Sequence, residues 1–278
     1  MKTLLSLIKI EHTLFALPLA FTGAVLGGRG WPPMLVLLLM AVAFTAARAS
    51  AMAFNRIADR HLDAQNPRTA DREIPSGALS VPRVWLLIIV SIVVFLTASW
   101  TINPLCGKLA PFALVVLLGY SYTKRFTPFC HYLLGLALGI APVAGWIAVT
   151  GTIALPPMVL GLGVIFWTAG FDTLYACQDV EFDRHMGLHS IPARLGTKNA
   201  LKVAALSHMA AFLLFILAGA LSSLGVGFYL FSIITGTLLI WEHQLITPND
   251  LTRIDIAFFK VNSLVSGSLL LAVIAGLF

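Results

Sequence analysis

Apolar stretches close to twenty residues long, separated by short polar breaks, run along nearly the whole chain. Nine stand out, at 4–28, 31–54, 84–102, 105–122, 132–150, 153–177, 201–219, 221–241 and 256–278. An α-helix rises about 1.5 Å per residue, so a run of this length matches the roughly 30 Å hydrocarbon core of a bilayer. The pattern predicts an all-α, polytopic membrane protein with nine transmembrane helices in one bundle. It also predicts a single membrane domain over residues 1–278, with no soluble appendage and no low-complexity tract.

Two connections are long and polar, at 55–83 and 178–202, and each follows an acidic cluster or contains one. Asn55, Asp59 and Asp63 are spaced by four, whereas Asp172, Tyr175, Asp179 and Asp183 are spaced by three and four, so each set predicts one stripe on a helix. Carboxylates held together near hydrocarbon repel one another and resist desolvation, so such clusters persist when a cation neutralises them. All-oxygen ligands favour a hard cation, Mg²⁺ or Ca²⁺. Asp59 and Asp179 stand 120 positions apart, as do Asp63 and Asp183, and Ile74-Pro75 and Ile191-Pro192 follow the two clusters. This repetition predicts two pseudo-repeated four-helix halves with a ninth helix appended.

The composition, 59% hydrophobic and 11% charged with a mean hydropathy of +0.92, excludes an ordinary soluble domain. The basic residues fix the orientation. With the amino terminus in the cytoplasm, both polar connections and Lys124-Arg125 face inward, and only Arg29 and Lys108 face outward. The positive-inside rule therefore predicts a cytoplasmic (inner) membrane protein whose chemistry lies on the cytoplasmic side. The net charge of +6 is then a topology signal and not a nucleic-acid footprint. Lys2 and Lys9 ahead of an apolar run imitate a signal peptide, but Glu11 and His12 interrupt that run, so it is taken as the first span.

Cys106, Cys130 and Cys177 lack metal-ligand spacing and are taken as inert apolar thiols. The seven histidines are dispersed. His185 and His189 share a helical spacing without a third zinc-type ligand, which favours an ordinary polar loop.

The segment from Arg48 to Gly77, with Asn55-Arg-Ile-Ala-Asp59-Arg-His-Leu-Asp63 and Asn66-Pro-Arg68-Thr-Ala-Asp-Arg72, resembles the first signature of the UbiA superfamily of intramembrane aromatic prenyltransferases. Asp172-Thr-Leu-Tyr175-Ala-Cys-Gln-Asp179-Val-Glu-Phe-Asp183 resembles its second, and Tyr120-Ser-Tyr-Thr-Lys124-Arg125 a third element. The Asp-x-x-Tyr-Ala form is most similar to the 4-hydroxybenzoate polyprenyltransferases. Arg56 departs from the Asn-Asp with which the first motif often begins.

The resemblance implies transfer of a polyprenyl group from a polyprenyl diphosphate to an aromatic acid. 4-Hydroxybenzoate leads as acceptor, followed by a hydroxynaphthoate. It implies Mg²⁺ held by Asp59, Asp63, Asp179 and Asp183. Two such ions offset four carboxylates, and a diphosphate then needs basic partners, for which Arg68, Arg72 and Lys124 are placed. Asp172 is the candidate to orient or deprotonate the acceptor, with Tyr175 one turn away. Lys124 and Arg125 divide diphosphate and acceptor carboxylate between them. Asn55, Arg48 and Tyr120 complete the expected substrate-binding set, Arg48 as a diphosphate ligand or else a side chain snorkelling to the interface, and Tyr120 and Tyr175 suit an aromatic belt as well. Asp71 and Glu73 fit solvated loop charges pairing with Arg68 and Arg72.

Two other classes compete. An ion-coupled transporter also carries intramembrane acids and a repeat, but its acids sit singly near the midplane and not beside Arg and Lys in long loops. A phosphatidyl-alcohol transferase uses one compact Asp-rich run, a form absent here.

Overall fold

The computed structural model describes residue 7 and residues 10–278; Lys2 and Lys9, and the side chains of Glu11 and His12, lie outside the described residues. The helices are α1 (Ile10–Gly28), α2 (Met34–Ala58), α3 (Arg60–Gln65), α4 (Val81–Ile102), α5 (Pro104–Thr123) and α6 (Cys130–Thr150). They continue with α7 (Leu155–Ala176), α8 (Val180–His185), α9 (Ile191–Leu195), α10 (Thr197–Leu221), α11 (Val226–Gln244) and α12 (Asn262–Leu277). A 3₁₀ turn, Cys177–Asp179, joins α7 to α8, and a π-helical turn, Ile256–Val261, leads into α12.

Among the described residues eight helical segments are long and apolar enough to cross a membrane, and a shorter apolar helix over Ala16–Gly28 belongs to α1. Exposed Leu86, Val93, Phe112, Val115, Leu213 and Ile233 face outward along the helices, where lipid replaces water as their solvent. The chain is an integral membrane protein.

The two halves share the pairing of their second and third long helices. α2 lies along α4 and α7 along α10, whereas α1 meets its counterpart α6 across the centre, and α12 fills the space between α11 and α1. The α1–α6 crossing depends on glycine. A Cβ at Gly23 would lie 1.8 Å from the Pro142 carbonyl oxygen, and one at Gly145 would lie 1.9 Å from that of Ala20. The largest apolar core forms around this crossing, with Trp167, Phe215 and Phe228 fully buried.

Prolines and polar caps set the helix starts. Asn103 accepts a hydrogen bond from the Cys106 backbone N–H (2.9 Å) ahead of Pro104, and its amide reaches the Ile147 carbonyl (2.8 Å), tying α5 to α6. At the opposite end from the acidic clusters, Arg29 donates to the Ser222 carbonyl (3.1 Å).

Candidate active site

Each acidic stripe is broken at its next-to-last aspartate, where one continuous helix is expected. Asp59 caps α2 with φ −95° and ψ 2°, and Asp179 precedes α8 with φ −106° and ψ 11°. The two halves thus repeat one local bend, and the last aspartate of each cluster lies on a short helix, Asp63 on α3 and Asp183 on α8. A helix end frees backbone groups and re-aims the side chains beyond it, so the carboxylates turn inward over the bundle instead of following one face.

The clusters are stitched together by cations. Asp59 accepts from Asn55 (3.2 Å) and Lys124 Nζ (2.7 Å), with Arg125 Nη2 at 3.4 Å. Asp63 accepts from Arg72 (2.7 Å) through one oxygen, and its buried Oδ2 has no hydrogen-bond partner. Arg68 and Asn66 reach across from the first connection to Asp179, Asn66 Nδ2 at 2.9 Å and Arg68 through Nε (2.9 Å) and Nη2. Arg68 Nη1 also meets the Tyr175 hydroxyl (3.1 Å). Burial opposes the charge of Arg68, yet the hydrogen bonds and attraction of Asp179 outweigh it and hold the guanidinium pKa above its ordinary value. Asp183 accepts from the Ser190 hydroxyl and lies within electrostatic range of Asp179, Lys124 and His131.

Beneath this layer lies an apolar cavity of about 780 Å³ between α2, α4, α5, α6 and α7. Arg48 and Tyr120 are the groups at its polar edge, and the buried Arg48 Nε has no hydrogen-bond partner. Tyr120 is within electrostatic range of Arg48, Asp59 and Asp172, so these four gather where cavity and carboxylates meet.

Asp172 carries a partner that sequence alone did not suggest. Buried His131 donates from Nδ1 to Asp172 Oδ2 (2.6 Å), and its Nε2 accepts from the Ile191 backbone N–H (3.2 Å). A backbone N–H only donates, so these bonds assign the proton to Nδ1. Asn66 and Ser190 are likewise unforeseen site residues. Asn66 lay inside the quoted motif, whereas nothing local marked His131 or Ser190.

Two further basic residues have partners of their own. Arg125 is exposed, lies over the Tyr122 ring (5.1 Å) and donates to the Ala58 carbonyl, outside the cavity lining. Buried Arg56 approaches Glu73 (4.0 Å), so Glu73 serves α2 and not Arg68 or Arg72, which are taken by Asp179 and Asp63.

The donor set fits a hard divalent cation: it is all oxygen, and one buried carboxylate oxygen of Asp63 lacks any donor. Among the described residues no three acidic, His or Cys side chains are drawn together closely enough to hold an ion, because Lys124, Arg72 and Arg68 stand on the carboxylates.

Residues 16–264 match the UbiA prenyltransferase family. The chain is 31% identical over 257 residues to a 4-hydroxybenzoate octaprenyltransferase of Yersinia pseudotuberculosis, covering 92% of this chain and 86% of that protein. The apo structure of a UbiA homolog from Aeropyrum pernix K1 is 34% identical, with a TM-score of 0.85 over 94% of this chain and 96% of that one. A UbiA homolog from Archaeoglobus fulgidus, bound to GPP and Mg²⁺, shares the fold at 21% identity, with a TM-score of 0.75 over 98% and 99% of the two chains.

Proposed function

The chain belongs to the UbiA prenyltransferase family, and on that premise we propose that it transfers a polyprenyl group from its diphosphate to 4-hydroxybenzoate, with Mg²⁺. One observation carries the reading: two pseudo-equivalent aspartate clusters face each other across Arg68, Arg72 and Lys124, directly over an apolar cavity edged by Arg48 and Tyr120. A hydroxynaphthoate, with a similar carboxylate on a larger ring, is the second acceptor in line.

When bound, Mg²⁺ neutralises the carboxylates of Asp59, Asp63, Asp179 and Asp183 and shares the charge of the diphosphate. Arg68, Arg72 and Lys124, which otherwise rest on those carboxylates, bind the phosphate oxygens, with Asn55 and Asn66 steadying the aspartates. As the allylic C–O bond breaks, these cations hold the charge gathering on the leaving diphosphate. The allylic cation alkylates the acceptor ring. Asp172 takes the ring proton, with Oδ2 anchored by His131. Tyr175 contributes by holding Arg68.

The test is direct. Purified protein given Mg²⁺, a polyprenyl diphosphate and 4-hydroxybenzoate should form the prenylated acid and release one diphosphate per product. Absence of product with every aromatic acid offered would overturn the reading.

The cavity supports a role as the prenyl sheath, since a volume of this size suits an extended apolar ligand. Ala137 on α6 lines it and is buried. Ala137→Phe should shift the products toward shorter chains without raising the KM for 4-hydroxybenzoate, as read by mass spectrometry of products from a mixture of diphosphates. An unchanged length profile would place the chain elsewhere.

A cytoplasmic site is supported by the basic residues gathered at the acidic end of the bundle. Single cysteines at Arg68 and Arg194 in a cysteine-free background should react with an impermeant thiol reagent from the cytoplasmic face only, and one at Arg29 from the opposite face. Labelling of Arg68 and Arg194 from different sides would rule out one shared site.

A further inference from the structure

Outside the site, a chain of buried polar groups runs through the second half of the bundle. Asn262, fully buried at the start of α12, accepts from the Trp167 indole N–H on α7 (2.8 Å). Its amide nitrogen donates to Glu242 Oε1 on α11 (3.1 Å) and faces the Ala257 and Phe258 carbonyls (3.2 and 3.1 Å). Glu242 is fully buried and its Oε2 has no hydrogen-bond partner; the nearest ring, His208 Nδ1, is 3.7 Å away. That ring is already committed, donating from Nε2 to the Trp167 carbonyl (3.2 Å) and pairing with His243 (2.9 Å). In hydrocarbon, groups with so few alternatives hold their geometry firmly.

What Asn262 grips is the π-helical turn Ile256–Val261, through the Ala257 and Phe258 carbonyls that its amide nitrogen meets. That turn carries Phe258. Its ring lies 4.2 Å from the Tyr175 ring, centroid to centroid, and 5.4 Å from that of Phe171. Tyr175 in turn holds Arg68 by its hydroxyl and its ring face.

We propose that Asn262, braced by Glu242 and Trp167, is a positioning residue: it fixes the π-turn so that Phe258 backs Tyr175, and through Tyr175 keeps Arg68 aimed at Asp179. The catalytic meaning of this device rests on the function proposed above. The mechanical link does not, because it can be read without turnover.

Phenylglyoxal modification of Arg68, followed by mass spectrometry of its peptide, reports how firmly the guanidinium is held, with exposed Arg83 as the internal control. Asn262→Asp removes the donors but keeps the acceptor for Trp167, and Phe258→Ala removes the contact with Tyr175. Each should raise the Arg68 rate on the order of five-fold, the loosening expected when about one hydrogen bond's worth of restraint is lost. Since both act on one chain of contacts, the double variant should be no faster than the faster single variant. Glu242→Gln, which keeps an acceptor for Asn262, should stay near the parent, and Glu242→Leu should follow Asn262→Asp. In turnover, Phe258→Ala should raise the KM for polyprenyl diphosphate more than it lowers kcat. An unchanged Arg68 rate in folded Phe258→Ala, or rates that multiply in the double variant, would overturn the inference. If Asn262→Asp does not accumulate, Phe258→Ala and the two Glu242 variants decide it alone.

Discussion

Asp179→Asn should abolish prenyl transfer, lowering kcat on the order of a thousand-fold or more, while the protein remains inserted and monodisperse. The substitution keeps the shape of the side chain but removes the charge that Arg68 and Asn66 now share and that a divalent cation would take over. Asp59→Asn, Asp63→Asn and Asp183→Asn should behave alike, since each contributes one carboxylate to the same charge balance. EDTA should reproduce the loss in the parent protein, and added Mg²⁺ should restore it. Asp71→Asn is the matched control: this loop carboxylate is exposed and should leave the rate within two-fold, as is usual for solvated charges worth about 0–1 kcal/mol. A Mn²⁺ titration followed by electron paramagnetic resonance gives a second readout, with fewer ions bound in Asp179→Asn. Full activity in that variant, or in metal-free buffer, would sink the metal-dependent mechanism.

The membrane class, the spans and the two acidic clusters were legible because each leaves a mark in adjacent residues. Hydropathy over twenty positions is local, and so is a four-residue spacing. The bend at Asp59 and Asp179 was not legible, since no glycine or proline interrupts either stripe and helix propensity alone carries it straight on. Arg68 illustrates a second limit. Its partner Asp179 is 111 residues away, and only the packing of the two halves brings them together. Neighbours in sequence can also part company: Lys124 turns to Asp59, while Arg125 leans on Tyr122 at the rim.

His131 and Asn262 share a different obscurity. A single polar residue in an apolar helix most often satisfies itself locally, so neither position is distinguishable from background until its partners are in view. His131 is read through Asp172 and the Ile191 N–H, Asn262 through Trp167 and Glu242. The π-turn is hidden for the same reason, because its extra residue sits in an apolar stretch that suits an α-helix equally well.

Arg48→Ala should raise the KM for 4-hydroxybenzoate by on the order of ten- to a hundred-fold while changing the KM for polyprenyl diphosphate much less, as expected on losing a charge-assisted contact to one substrate. The expectation rests on where free cationic capacity lies. Arg68, Arg72 and Lys124 rest on the carboxylate layer and in the proposed reaction go to the diphosphate, and Arg125 is at the exposed rim. Arg48 alone among these edges the apolar cavity, and its buried Nε has no hydrogen-bond partner. A carboxylate arriving there satisfies that nitrogen and compensates the buried charge, whereas a neutral ring would not. The parent should therefore favour 4-hydroxybenzoate strongly over 4-hydroxybenzamide, and Arg48→Ala should lose that preference by turning the acid into as poor a substrate as the amide. Arg48→Lys should recover part of the affinity, since an ammonium keeps the charge but not the planar two-point grip. Arg125→Ala should leave the preference intact. If instead Arg125→Ala erases it, the carboxylate docks at the rim. If Arg48→Ala raises only the diphosphate KM, Arg48 belongs to the leaving group and the acceptor need not be an acid.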